Sequence, residues 1–282
     1  MSYMTHIITC NRHNIETFKP FDVDGVTIGH VRPAIAAEMT KYPEIFVESE
    51  RSITFTGTVI GFERRSAAMA GVAADLAKSG LLPPERGEFY PVAAAISEEP
   101  FFQLDRGAIS AFGIRAFGVH VNGFIRHDNG TIEMWIARRA RDRTAYPNML
   151  DNMVAGGQPI GLGLIENVIK ECAEEADIPA NLAAQARPTG AISYTYETAD
   201  GLKPDIIFCY DLALPEDFVP RNTDGEVAAF YLLPIGEVAK IVESSLEFKF
   251  NCNLVIIDFL IRHGFLQPEH PDYLRLIQGL RQ

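Results

Sequence analysis

The chain has no apolar run approaching the roughly 18 residues that a membrane-spanning helix needs. It has no basic start followed by an apolar stretch either, so no signal peptide is expected. Cysteines are few: four in 282 residues, Cys10, Cys172, Cys209 and Cys252, with no metal-site spacing among them. Reduced thiols in a cytoplasmic protein are the plain expectation. Cys172 and Cys209 sit in apolar patterns and read as small core residues. Positive charge is scarce as well. Lys and Arg number 25 against 37 Asp and Glu, a net charge of −12. That balance does not suit binding to nucleic acid or to an anionic membrane. A small anionic ligand stays open if a metal carries the positive charge. Internal repeats and low-complexity tracts are absent, and no Ser-His-Asp order or cysteine nucleophile has supporting context.

What is present is enough for a large core. The hydrophobic share is 47%, over a length above that of a typical single domain. Residues 1–110 read as a separate, smaller α/β unit. A helix is expected over 33–41, a strand over 53–59, a helix over 66–78 ended by Gly80, and a strand over 89–96. Residues 111–282 read as a second unit. A long β pattern over 114–126 meets a second over 131–137 across Asp128-Asn129-Gly130, a strong hairpin signal. A basic loop is expected over 138–143. Strands follow over 189–197, 204–212 and 226–233, then helices over 235–244 and 252–263, the last capped by Gly264.

The densest chemistry is Lys170-Glu171-Cys172-Ala173-Glu174-Glu175-Ala176-Asp177-Ile178, preceded by Ala155-Gly156-Gly157. Glu171, Glu174 and Glu175 have the spacing that shares one helix face. Ile165, Val168, Ile169 and Cys172 supply that helix with a buried side. Carboxylates crowded on one face repel each other unless a cation sits among them. Mg²⁺ favours carboxylate and phosphate oxygens, so the pattern points to diphosphate chemistry. The plain alternative is a solvated helix face. Glycines ahead of the helix let the backbone turn tightly and approach a ligand.

These residues resemble the Nudix box: Gly, five residues, Glu, seven residues, Arg-Glu, an aliphatic residue, any residue, Glu-Glu, any residue, Gly, an aliphatic residue. Gly156 takes the first place, Lys170-Glu171 the Arg-Glu, Cys172 the aliphatic place, Glu174-Glu175 the acidic pair, and Ile178 closes it. Leu162 stands where the first Glu is expected, Lys170 replaces Arg, and Asp177 replaces the late Gly. Lys keeps the charge and loses the bidentate fork. Asp tolerates the left-handed conformation better than most residues. Phe117-Gly-Val-His-Val-Asn-Gly-Phe124, Gly190-Ala-Ile-Ser-Tyr194, Asn222-Thr-Asp-Gly-Glu-Val227 and Asp258-Phe-Leu-Ile-Arg-His-Gly264 narrow the likeness. They resemble the Nudix branch found beside thiamine pyrophosphokinase in some fungal proteins, here as a standalone member of bacterial type. In that branch the three departures are usual.

The resemblance implies a Nudix-type α/β/α sandwich with a mixed sheet, preceded by the smaller N-terminal α/β domain. It implies a hydrolase that cleaves a diphosphate linkage with Mg²⁺, or Mn²⁺ in its place. Thiamine diphosphate or its damaged analogues would be the substrate, yielding monophosphate and phosphate. Glu171, Glu174 and Glu175 would hold the metal and carry catalysis. Glu226, in Asp224-Gly225-Glu226-Val227, would bind metal or act as general base; its plain reading is a turn residue. Lys170 would contact phosphate or orient a neighbouring Glu. Gly156, Gly157 and Gln158, with Arg138 and Arg139 from the basic cluster, would meet the substrate. Asn152 would hydrogen-bond ligand or settle the loop. His120 reads as structural, Trp135 and Tyr194 as core or a stacking platform, and His263 as a helix-end residue without catalysis. The alternatives are a hydrolase of nucleoside-diphosphate-linked compounds and a non-catalytic diphosphate-binding module, the latter motivated by Leu162. The N-terminal unit is expected to cover the site or to form a homodimer surface.

Overall fold

The structure, a computed structural model, describes residues 1–282. Helix α1 (Tyr3–Cys10) opens the chain. Strands β1 (Lys19–Val23) and β2 (Val26–Val31) form a hairpin, whose turn holds Asp24 and Gly25 at positive φ. Helix α2 (Pro33–Met39) starts on a proline at its first position, as expected where that N–H has no helical partner. Strands β3 (Phe46–Glu48) and β4 (Ile53–Phe55) complete a four-stranded sheet of order β2-β1-β4-β3. Helix α3 (Phe62–Lys78) and the hairpin of β5 (Phe89–Val92) and β6 (Phe102–Asp105) pack beside it. Their common core draws only on residues 21–114, with Phe21, Phe55 and Phe102 meeting at ring distances of 5.4 to 6.4 Å.

The second sheet has seven strands. Strands β7 (Phe117–Arg126) and β8 (Ile132–Arg139) form the hairpin signalled by Asn129-Gly130, with Gly130 at φ 84°. Short strands β9 (Leu150–Asn152) and β10 (Val154–Gly157) follow. Then come α4 (Leu164–Ala176), α5 (Ala180–Ala183), β11 (Arg187–Thr198), β12 (Gly201–Ala213), β13 (Val227–Pro234), α6 (Ile235–Ser244), α7 (Cys252–Arg262) and α8 (Tyr273–Gly279). The main path is β11-β12-β7-β8-β13, and only β12 and β7 pair in parallel, so the sheet is mixed. β8 reaches Arg139, so the basic loop expected over 138–143 begins two residues later than the sequence indicates. Pairing with β13 out to Arg139 is what extends the strand.

The sheet forks. β7 pairs with β8 through Phe124–Arg126 but with β10 through Gly118–Val121, and the end of β8 pairs with β9. Met153, between the two short strands, is fully buried in the fork. A Cβ on Gly123 would lie 2.0 Å from its sulfur, so that position admits only glycine without movement. One face of the sheet packs on α4 and α5 through Val121, Val168, Cys172 and Leu212. The other packs on α6 and α7 through Phe124, Ile207, Val255 and Phe259. Helices on both faces of a mixed sheet make the α/β/α sandwich. Tyr3, Ile7 and Cys10 of α1 belong to this second core, although they lie at the start of the segment read as a separate unit. All four cysteines are buried and free.

Candidate active site

Helix α4 is set by its ends. At its N-terminus Glu166 Oε2 accepts a hydrogen bond from the Gly163 amide at 2.8 Å, so this carboxylate, four residues after Leu162, caps the helix. At its C-terminus Asp177 adopts the left-handed conformation, φ 54° and ψ 35°, where the family pattern has Gly. Val168, Cys172 and Ala176 then point into the core. That orientation turns Glu171 and Glu175 toward β10, where they are 9% and 7% exposed. Glu174 stands at the rim, its side chain 48% exposed.

The three carboxylates have different surroundings. Lys170 Nζ lies 3.1 Å from Glu171 and 2.7 Å from Glu174, bridging the two. Burial opposes its charge, but the two carboxylates hold the ammonium above its usual range. Glu175 has no cation. Its Oε2 accepts from the Ala155 amide on the β10 edge at 2.9 Å. Burial pushes its carboxyl well above the usual range, and the Ala155 bond offsets this only in part. Burial raises Glu171 too, against Lys170. A desolvated carboxylate without a counter-ion is costly, and a divalent cation among these oxygens would offset that cost.

Gly156 and Gly157 lie within β10 and neither is at positive φ, so their role is close approach and not a tight turn. A Cβ on Gly156 would lie 2.2 Å from the Glu171 carboxyl carbon. A Cβ on Gly157 would lie 1.6 Å from the Tyr90 hydroxyl. The glycine pair therefore lets Glu171 and Tyr90 close on the strand from its two sides.

These groups open onto a cleft of about 460 Å³, within the range usual for small-molecule sites. Its acidic edge is Glu171, Glu174 and Glu175, joined by Glu226 from the loop before β13. Glu226 Oε1 pairs with Arg143 at 2.5 Å, and its amide donates to Asp224 Oδ1. Register places the remainder. Gly157 faces Gly118, Gly118 faces Ile207, and Asp205 faces Tyr194. Paired residues share a face, and so do residues two apart. The cleft thus runs from β10 across β7 to β12, on the side away from α4. The N-terminal segment supplies the wall with Glu88, Tyr90 and Arg106, and Arg106 is paired to Glu88.

Two expected binding residues stand elsewhere. Arg138 donates to the Asn148 carbonyl and lies over the Tyr231 ring, and the cleft does not include it. Gln158 is 1% exposed and spans the box loop, donating to the Leu162 carbonyl at 2.7 Å and accepting from Asn167. Arg139 reaches the cleft, but its guanidinium is taken up by Asp151 and by the carbonyls of Ala145 and Tyr146. Asn152 is buried between His120 and Asn122. His263 is held by Asp211 and stacks on Phe259. Trp135 is buried in the α4-side core, while Tyr194 lines the cleft.

The cleft floor carries residues no motif announces. Lys249 and Arg139 flank Asp151 Oδ2 at 3.4 and 2.8 Å, while Asp151 Oδ1 accepts from the Asn152 amide and the Cys252 thiol. His120, Asp151 and Cys252 bring ligand atoms within 4.8 Å of one another. Asp151 is already neutralised by two cations and its oxygens are engaged, so this trio is a structural knot. Burial and Lys249 push the His120 ring down to about 4, leaving it neutral at pH 7.

The chain is 39% identical over 290 residues to Nudix hydrolase 20, chloroplastic, of Arabidopsis thaliana, covering 99% of this chain and 77% of that protein. It is 38% identical over 283 residues to Nudix hydrolase 24, chloroplastic, of the same plant, with the same coverage. The chain belongs to the Nudix hydrolase family and is a hydrolase of phosphorus-containing anhydrides. Residues 2–116 match a family described as a domain of unknown function, DUF4743. Among solved structures, the Nudix domain of Shewanella oneidensis NrtR, a cocrystal with ADP ribose, aligns at 15% identity and a TM-score of 0.42. That alignment covers 54% of this chain and 90% of that one.

Proposed function

We propose that the protein hydrolyses thiamine diphosphate, or damaged analogues of it, to the monophosphate and phosphate, using Mg²⁺ or Mn²⁺. The observation that carries the metal reading is Glu175: a buried carboxylate with no cationic partner, beside Glu171 and Glu174. Three oxygen donors of this kind fit a hard divalent ion. Bound there, the ion would neutralise phosphate charge and lower the pKa of a water. Lys170 holds Glu171 and Glu174 in place. The Ala155 amide fixes Oε2 of Glu175 and leaves Oε1 without a protein donor, in a residue that lines the cleft. Glu226, with Oε1 fixed by Arg143, takes the proton from the attacking water at Oε2. Gly156 and Gly157 bring the backbone and Glu171 within reach of the diphosphate.

The thiamine assignment rests on the branch-specific segments around Phe117, Gly190, Asn222 and Asp258, and the reaction assignment on the α4 carboxylates. We propose further that residues 1–110 and 111–282 are two units, apart from α1, which packs with the second, and that the first walls the site of the second, Tyr90 and Arg106 being the supporting contacts. The alternative role of that unit, a homodimer surface, would show in the oligomeric state. A cytoplasmic location is supported by four free, buried thiols. No helix is long and apolar enough to cross a membrane.

The test is a substrate panel with Mg²⁺. Thiamine diphosphate should be cleaved to monophosphate and phosphate. Efficient cleavage of a nucleotide sugar with thiamine diphosphate left intact would overturn the substrate assignment.

A further inference from the structure

At the end of the cleft away from the box helix, one acid stands without a cation. Of the carboxylates lining the cleft, Glu88 pairs with Arg106, Glu171 and Glu174 with Lys170, and Glu226 with Arg143; Glu175 and Asp224 also lack an ion pair, but Glu175 is on the box helix and Asp224 follows Thr223, which donates to the Glu174 carbonyl. Asp205 makes no ion pair. Its Oδ2 accepts from the Tyr194 hydroxyl at 2.9 Å, and its Oδ1 faces the cleft without a protein donor. Lys203 lines the cleft nearby but forms no ion pair with it. Burial pushes the Asp205 carboxyl above its usual range, with Lys203, the Tyr194 hydrogen bond and the more remote charge of Lys249 opposing this only in part.

The surroundings of Asp205 are aromatic. Tyr194 and Tyr146 line the cleft, and both pack on Phe250 at ring distances of 5.6 and 5.3 Å. Tyr146 is held at φ 52°, a conformation costly for a residue of its size. Tyr90, 9% exposed, brings a hydroxyl with no protein partner to the same cleft. A lone carboxylate among tyrosines is poor in donors for a metal, since no second anionic ligand stands beside it. It is suited to an organic cation, which gains from the carboxylate and from the half-buried Tyr146 ring beside it, while Tyr194, 2% exposed, serves to orient the acid.

The spacing agrees. Gly157 and Ile207 are separated by two strand steps, about 10 Å, and Asp205 lies two residues further along β12 on the same face. A diphosphate held at the α4 acids would set the organic half of its ester near Asp205.

We propose that Asp205, oriented by Tyr194 and flanked by Tyr146, is the subsite for the organic half of the substrate and selects a positively charged ring. This rests on the diphosphatase reading above and deepens it: the acids of α4 act on any diphosphate, and Asp205 decides which ester is kept. Two synthetic probes of equal size separate charge from shape: 2-(pyridinium-1-yl)ethyl diphosphate and 2-phenylethyl diphosphate. In the parent protein with Mg²⁺, kcat/KM for the cationic probe should exceed that for the neutral one at least about tenfold, carried by KM. Asp205→Asn keeps an acceptor for Tyr194 and should bring the two within about threefold of each other. A parent ratio near one would overturn the proposal, and that measurement needs no variant. So would an undiminished ratio in a folded Asp205→Asn protein. If neither probe is hydrolysed, the failure belongs to the proposed reaction. Calorimetric affinities of the same two probes would then decide the subsite by the same ratio.

Discussion

Glu175 sits where burial disfavours its charge and where the Ala155 amide is its only hydrogen-bond donor. Its folded pKa is raised, so what it adds to stability is present at low pH and lost as pH climbs through that raised value. Glu175→Gln keeps an oxygen for the Ala155 amide and removes the charge. The variant, without divalent ions at neutral pH, should melt above the parent, while kcat falls by about two orders of magnitude or more. A thermal melt paired with kcat checks this; a variant that melts lower would count against the desolvation argument. His120 behaves in the opposite sense. Burial and Lys249 depress its pKa to about 4, so the neutral ring stabilises the fold above about 6.5, and that contribution is lost as pH falls toward 4. An NMR titration should place the ring's midpoint near 4, and a midpoint near 6.5 would show it solvated. The α4 acids were legible in the sequence because their spacing lies within one helix. Tyr90, Asp205 and Lys249 were not, because each comes from a different segment and only tertiary packing brings them to one cleft. Gln158 and Arg138 show the converse: proximity to the motif in sequence did not put them at the cleft, since one is spent on the box loop and the other on the Asn148 carbonyl.

At the scale of elements, the long strands and helices followed their patterns. The Asn129-Gly130 hairpin, β11, β12, α6 and α7 fall within a few residues of where periodicity puts them. β9 and β10 were not foreseen, because Asp, Asn and Gly give a strand three or four residues long no β signal of its own. They exist because the fork between β7 and β8 leaves edges to be paired. Met153 closes that fork from a fully buried position. Met153→Ala should therefore cost about 2–5 kcal/mol by denaturant melt. Because the fork positions β10, the same change should lower turnover as well. Gly156→Ala tests the strand more locally. Its methyl would meet the Glu171 carboxyl, so metal-dependent turnover should fall at least about tenfold with a much smaller loss in melting temperature. Equal losses in both would mean that Gly156 serves the fold alone.

The whole molecule ties its two ends together. α1 packs into the core of the second sheet, and β5 and β6 carry Tyr90 and the Arg106–Glu88 pair to the cleft. A fragment of residues 111–282 would lose Tyr3, Ile7 and Cys10 from its core. We expect it to melt without the sharp cooperative transition of the full chain, as read by calorimetry. Sequence periodicity marked a unit before residue 110, but it could not show α1 crossing to the other core, since eight amphipathic residues fit either one.

The central claim is that the α4 acids hold a divalent ion that makes this cleft a diphosphatase. It is tested most directly by phosphate release from thiamine diphosphate with Mg²⁺ present and removed, in the parent and in Glu174→Gln. The account predicts release of phosphate and the monophosphate that stops when the metal is chelated and drops by about two orders of magnitude or more in the variant. Turnover that persists without metal, or that survives Glu174→Gln unchanged, would contradict it.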